Sequence, residues 1–200
     1  MSDARGGRGG APADRPTVVL GLGTPLMADD GLGLAALDAL RGFRFEPEVE
    51  LVDGGTWGMN LLGLIEDAGR LLLLDAIHAG RPAGSLVVLR DEELPRYLFT
   101  KVSPHQVDLR EVLAVAEFRG TLPSETVAVG LEPRRVEMSD SLTPLARSRL
   151  PLVVRAALGI LAEWGHRAAP TDEAEAPSAD ADPGGEGAGV EAPARAAAGG

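Results

Sequence analysis

Two short runs constrain this chain more than any other feature. Thr17–Gly23 (TVVLGLG) and Leu71–Ile77 (LLLLDAI) are apolar at nearly every position. Segments this short and this continuously apolar read as strands buried on both faces, the signature of a sheet covered by helices on each side. Three further segments read as strands: Val49–Asp53, Ser85–Arg90 and Thr126–Leu131.

Helical patterns fall between them. Leu32–Leu40 spreads apolar residues over one broad face. After Thr56, a candidate N-cap, Met59, Leu61, Leu62 and Ile65 form a second amphipathic stretch. Ser103-Pro104-His105-Gln106 resembles a capping box with proline at N1 and opens a helix towards Glu117. Thr143-Pro144 starts a last helical region, which Pro151 is expected to kink or divide and Gly165 to end. This alternation predicts an α/β fold with a twisted, mostly parallel five-stranded sheet and helices on both faces. Ser85–Arg90 follows Leu71–Ile77 after a turn too short for a crossover, so these two are expected to form an antiparallel hairpin.

The ends differ from the middle. Residues 1–16 are rich in Gly, Arg, Pro and Ala. Residues 168–200 are nearly all Ala, Gly, Pro, Glu and Asp, with Val190 the only larger apolar side chain. Neither can bury enough surface to offset its ordering entropy, so both read as disordered, and 17–167 as the single folded domain. The net charge of −11 is shared between the acidic tail, with seven acids against one Arg, and the domain. Bases in the domain are dispersed, which argues against nucleic-acid binding. The absence of cysteine excludes disulfides, thiol catalysis and Cys-based metal sites, and fits a reducing compartment. No apolar run has membrane-spanning length and Met1–Pro16 lacks a signal-peptide pattern, so the expected location is the cytoplasm, away from membranes.

Ligands of α/β sheets sit beyond the carboxyl ends of the strands, and polar residues cluster in the loops there. The first loop contains Asp29 and Asp30, the second begins at Asp53, Asp75 interrupts an apolar strand, and His105 follows the fourth strand. The glycine loop lacks the third glycine of a dinucleotide fingerprint, Leu26 standing in its place, and it has no Walker lysine. Gly21 and Gly23 therefore read as turn glycines. Asp75 stands out, because a carboxylate among leucines must be paired, protonated or metal-bound, or must cap nearby backbone. Asp30 reads equally as a helix N-cap or, with Asp29, as part of a solvated acidic turn. Of the three histidines, His166 sits at a helix end where it can complement the dipole. His78 is an alternative ligand three residues after Asp75. Asp30, Asp75 and His105 together make a mixed oxygen and nitrogen set suited to nickel, zinc or manganese, with positions left open for water or substrate.

GLGTPLMADDGLG (21–33), DGGTWGMNLL (53–62), LLLLDAI (71–77), LRDEELP (89–95) and KVSPHQ (101–106) together resemble the [NiFe]-hydrogenase maturation endopeptidases, in the uptake-hydrogenase-like branch. The resemblance runs from Thr17 to the last helix. It implies an endopeptidase that trims the C-terminal extension of the hydrogenase large-subunit precursor, with nickel already in that precursor as the recognition signal. It places the nickel ligands on Asp30, Asp75 and His105, and it makes Asp53 an accessory acid near the cleft. The first loop reads Gly21-Leu22-Gly23-Thr24 where the family has Gly-x-Gly-Asn. The family has been classed as aspartic-type, yet neither HExxH nor the pepsin-like Asp-Thr/Ser-Gly occurs here. The competing expectations are a non-enzymatic nickel chaperone with the same ligands, a nucleotide-dependent enzyme built on the glycine loop, and a peptidase for an unrelated substrate.

Overall fold

The computed structural model describes residues 15–55, 58–90, 93–94 and 106–171. Strand β1 (Thr17–Leu22) is followed by a 3-10 turn (Ala28–Gly31) and helix α1 (Leu32–Leu40). Strands β2 (Phe43–Glu46) and β3 (Val49–Gly55), a second 3-10 turn (Gly58–Leu61) and helix α2 (Leu62–Asp67) come next. Strands β4 (Arg70–Ala76) and β5 (Leu86–Arg90), helix α3 (Gln106–Phe118), strand β6 (Glu125–Leu131), helix α4 (Pro144–Glu163) and strand β7 (Arg167–Pro170) complete the order.

The main sheet has the order β3-β1-β4-β6-β5, parallel except for β5, which runs antiparallel to β6. The expected mostly parallel five-stranded sheet is present, but the expected hairpin is not. Strand β6 lies between β4 and β5, so Ser85–Arg90 pairs with Thr126–Leu131 instead of with its neighbour in sequence. Burial explains the order. Six of the seven β6 residues are buried, so β6 needs neighbours on both edges, whereas β5 has half-buried positions and an exposed end suited to an edge strand.

Alternate residues of the central strands feed two cores. On one face Val18, Leu20, Leu71 and Leu73 pack with Ile65 of α2 and with Leu109, Val112 and Ala116 of α3. On the other, Val19, Leu72, Leu74, Val127 and Val129 pack with Leu37 and Leu40 of α1 and with Val153, Ala157 and Leu161 of α4. Leu20, Leu71, Leu72, Leu73 and Leu74 are 1% exposed or less, and truncating any of them to Ala would cost about 2–5 kcal/mol.

Helix α4 runs through Pro151 undivided. Pro151 lies on the exposed side of the helix, where solvent can satisfy the carbonyl that its missing N–H leaves free. Thr143 caps the helix by accepting the Ala146 amide at 3.2 Å. Gly165, at φ +93°, ends it in a Schellman pattern, with His166 N–H donating to Leu161 O and Gly165 N–H to Ala162 O. A second, two-stranded antiparallel sheet pairs β2 with β7, so ordered pairing extends past residue 167 to Pro170, and Thr171 N–H donates to Gly42 O. At the other end Pro16 O accepts from Gly69 N–H, so the paired chain begins just before the expected boundary. The expected caps Thr56 and Ser103 and the site histidine His105 lie outside the described residues.

Candidate active site

The direction of the connections locates the site. Strand β1 leads through α1 to β3 on one side, while β4, its neighbour, leads on to β6 through α3 on the other. The chain therefore leaves two adjacent parallel strands in opposite directions. This opens a crevice above their carboxyl ends, the position where α/β sheets bind ligands. Asp30 comes from the loop after β1, and Asp75 is near the end of β4.

Both carboxylates are buried, Asp30 at 3% and Asp75 at 1% exposure. Asp30 Oδ2 accepts the Thr24 amide at 2.9 Å, which closes the loop over its own first residue. The contact uses Thr24 backbone, so having Thr instead of the family's Asn does not disturb it. Thr24 Oγ1 accepts from Leu26 N–H at 3.4 Å. Gly23 has φ +96°, and a Cβ there would lie 1.9 Å from Asp30 O, so only glycine allows the turn. A Cβ on Gly33 would lie 2.2 Å from Leu74 O and 2.5 Å from Leu22 O. The start of α1 thus rests directly on the ends of β1 and β4, bringing the Asp30 turn against the backbone just before Asp75.

Asp75 Oδ1 accepts the Ala76 amide at 2.7 Å, the local backbone contact expected of a strand-end Asp. By strand alternation Asp75 belongs to the face shared by Leu71, Leu73 and Ile77, the face covered by α2 and α3. Arg119 and Thr121, just past the end of α3, both donate to Glu66 near the end of α2, at the amino-terminal edge of the sheet. Gln106, the first residue of α3, is therefore at the carboxyl edge, and it directly follows His105 in sequence. His105 itself is outside the described residues.

Asp53 does not join this pair. Its partner across the sheet is Gly21, which also pairs with Leu74, so Asp53 projects with Leu74 on the face opposite to Asp75 and is exposed there. His78 is half-exposed, with Nδ1 3.7 Å from Glu132 Oε1. Glu132 in turn accepts Ala79 N–H at 2.7 Å and Arg81 N–H at 3.0 Å, which shapes the turn after β4. His166 is buried at the amino-terminal edge, contacting Pro47 O at 2.7 Å and Thr17 Oγ1 at 2.9 Å. It ties strands together instead of facing a helix dipole. A cleft of about 440 Å³ lies at that same edge, and several of its polar side chains are already engaged in hydrogen bonds. Arg70, for instance, bonds both Glu125 and Trp164 O. Among the described residues no group of three or more acids or histidines is arranged to hold a metal.

The sequence did not reveal the role of Asp29. It is 1% exposed, so the acidic turn is not solvated. Asp29 Oδ1 accepts Thr143 N–H at 2.8 Å, and Oδ2 accepts Thr143 Oγ1–H at 3.1 Å, Arg134 N–H at 2.9 Å and Arg135 N–H at 3.3 Å. It clamps the Asp30 loop to the start of α4. Its donors lie more than a hundred residues away, and nothing local could have announced them. The Asp-Asp doublet followed by Gly-Leu-Gly was the only available sign.

The fold is an α/β sheet that buries two carboxylates, Asp30 and Asp75, at the carboxyl ends of its central strands. Residues 36–160 match the family model of the hydrogenase maturation protease, and this chain belongs to that family. It is 37% identical over 169 residues to the hydrogenase expression/formation protein HupD of Bradyrhizobium diazoefficiens, covering 81% of this chain and 88% of that one. That name fits the uptake-like branch read from the sequence. It is 36% identical over 157 residues to the hydrogenase 2 maturation protease of Escherichia coli, covering 78% and 96%. The solved structure of the hydrogenase maturating endopeptidase HybD from E. coli superposes with a TM-score of 0.75 at 34% identity, over 79% of this chain and 99% of that one. The chain is a hydrogenase maturation endopeptidase, a peptide-bond hydrolase.

Proposed function

We propose that this enzyme removes the C-terminal extension of the [NiFe]-hydrogenase large-subunit precursor after nickel insertion, in the cytoplasm, and that nickel in the precursor is what it recognises. The reading rests on the two carboxylates buried at 3% and 1% exposure at the switch point. Burying carboxylates at one edge of a sheet is costly, and a divalent cation arriving there offsets part of that cost. Asp30 and Asp75 supply two hard oxygen donors, and His105, one residue before α3, supplies the third, imidazole donor. This donor set suits nickel arriving with the substrate. Nickel held there by Asp30, Asp75 and His105 would supply Lewis acidity towards the scissile carbonyl or water. The chain's own residues do the positioning. The Thr24 amide orients Asp30, the Ala76 amide orients Asp75, and the Asp29 clamp keeps the loop from moving away. Asp53, on the opposite face, is left out of the ligand set.

The test is to incubate the enzyme with nickel-loaded and nickel-free precursor and to follow the shortened product by mass spectrometry. Only the loaded form should be cut. Equal cleavage of both forms would remove nickel recognition, and nickel binding without any cleavage would instead make the protein a chaperone. Asp75→Asn, which preserves shape, should lower cleavage about 100-fold or more.

A further inference from the structure

Above the carboxyl edge, the segment joining β6 to α4 runs alongside the Asp30 loop. Met27 and Ser139 form a parallel bridge, with Ser139 N–H donating to Leu26 O at 3.0 Å and Ala28 N–H to Ser139 O at 3.2 Å. The residues just before this isolated bridge, Leu26 and Met138, are 65% and 89% exposed, and Val136 on the same segment is 37% exposed.

Single exposed apolar residues are ordinary. This pair differs because two large, exposed apolar residues sit on adjoining backbone segments that are hydrogen-bonded to each other. Asp29 N–H donates to Arg135 O at 3.1 Å, and the Asp29 carboxylate takes the Arg134 and Arg135 amides. A surface held this firmly has little backbone freedom left to lose on docking. It is also continuous with the site. Met27 O accepts the Asp30 amide at 3.2 Å, so Leu26 stands on the loop that carries Asp30 and Met138 on the segment hydrogen-bonded to that loop. Of the other exposed large apolar residues, Phe118 ends α3 and Leu122 follows it, at the opposite edge of the sheet and out of reach of a chain entering the crevice, while Met59, 47% exposed, lies in the 3-10 turn after β3.

We infer that the Leu26–Met138 ridge is the docking surface for the precursor polypeptide, seating an apolar segment beside the bond to be cut. The inference rests on the proposed substrate. Asp30 and Asp75 are almost fully buried, so a polypeptide must lie across the rim of the crevice for its end to reach them. The ridge contributes to holding that polypeptide and takes no part in hydrolysis.

The test compares wild type with Leu26→Ser/Met138→Ser and with the conservative Leu26→Met/Met138→Leu. Steady-state cleavage of nickel-loaded precursor and direct precursor binding by fluorescence anisotropy are both measured, with thermal melting as the folding control. The serine variant should raise KM and the dissociation constant tenfold or more, leave kcat within twofold, and melt like wild type. The conservative variant should retain both constants. A KM and a dissociation constant within twofold of wild type in the serine variant would overturn the ridge. Wild type that binds precursor without cutting it would refute the proposed function, and anisotropy would still decide the ridge. Wild type that neither binds nor cuts overturns both. A serine variant whose only change is loss of self-association, seen by sedimentation, would assign the ridge to a second copy of this chain and overturn the inference.

Discussion

Asp29 and Asp30 are adjacent in sequence, both nearly inaccessible, and carry the same charge, yet the fold gives them different work. Asp29 spends its oxygens on three amides and a hydroxyl from residues 134, 135 and 143. Asp29→Ala would leave those donors unpaired, and we expect it to cost about 3 kcal/mol, measured by urea denaturation. Asp30→Asn keeps an acceptor for the Thr24 amide and removes the charge. Precursor cleavage should fall about 100-fold, while the melting midpoint stays well above that of Asp29→Ala. A collapse of stability in Asp30→Asn matching that of Asp29→Ala would show that the two residues share one structural role. Gly23→Ala puts a methyl group 1.9 Å from Asp30 O at φ +96°. It should impair activity together with stability, because the loop can relieve the clash only by moving Asp30.

At the scale of elements, α4 shows how a local rule yields to its surroundings. Proline inside a helix removes one hydrogen bond and crowds the preceding turn, and the sequence alone argued for a kink or a break at Pro151. The helix continues because one side is anchored by Val153, Ala157, Ile160 and Leu161 in the core, and because Thr143 and Gly165 hold its two ends. Pro151→Ala should therefore raise stability, by up to about 3 kcal/mol, with no loss of cleavage. An unchanged or lower melting temperature would mean that the proline is adapted to its site. Thr143→Ala removes both the cap to Ala146 and the hydroxyl bond to Asp29, and should cost about 1–2 kcal/mol. The edge position of β5 belongs to the same scale. The turn after Leu71–Ile77 suggested a hairpin by its length alone, but length says nothing of a strand arriving later to fill the gap. Only the need of β6 to be covered on both edges decided it.

For the whole molecule, sheet order predicts a gradient of protection. Amides of β1, β4 and β6, central and buried, should exchange with deuterium only on global unfolding, whereas those along the open edges of β3 and β5 should exchange earlier. Uniform protection across all five strands would contradict this order. Much of the architecture was legible from the chain. Runs such as TVVLGLG and LLLLDAI read as strands buried on both faces, and Asp75 stands out within one of them because a carboxylate among leucines must be paired, protonated, metal-bound or bonded to backbone. The two-stranded β2–β7 sheet was not legible, since FRFE and RAAP carry little pattern and pair across more than a hundred residues. The sequence by itself determined most of the elements, the α/β class and the acid buried within a strand, because these follow from local period and desolvation. Tertiary structure alone decided that β1 and β4 meet at a switch point, that Asp53 faces away from Asp75, that Asp29 clamps a distant segment, and that Leu26 stands beside Met138. Each of these depends on which remote backbone comes within hydrogen-bonding distance, and no local signal encodes that.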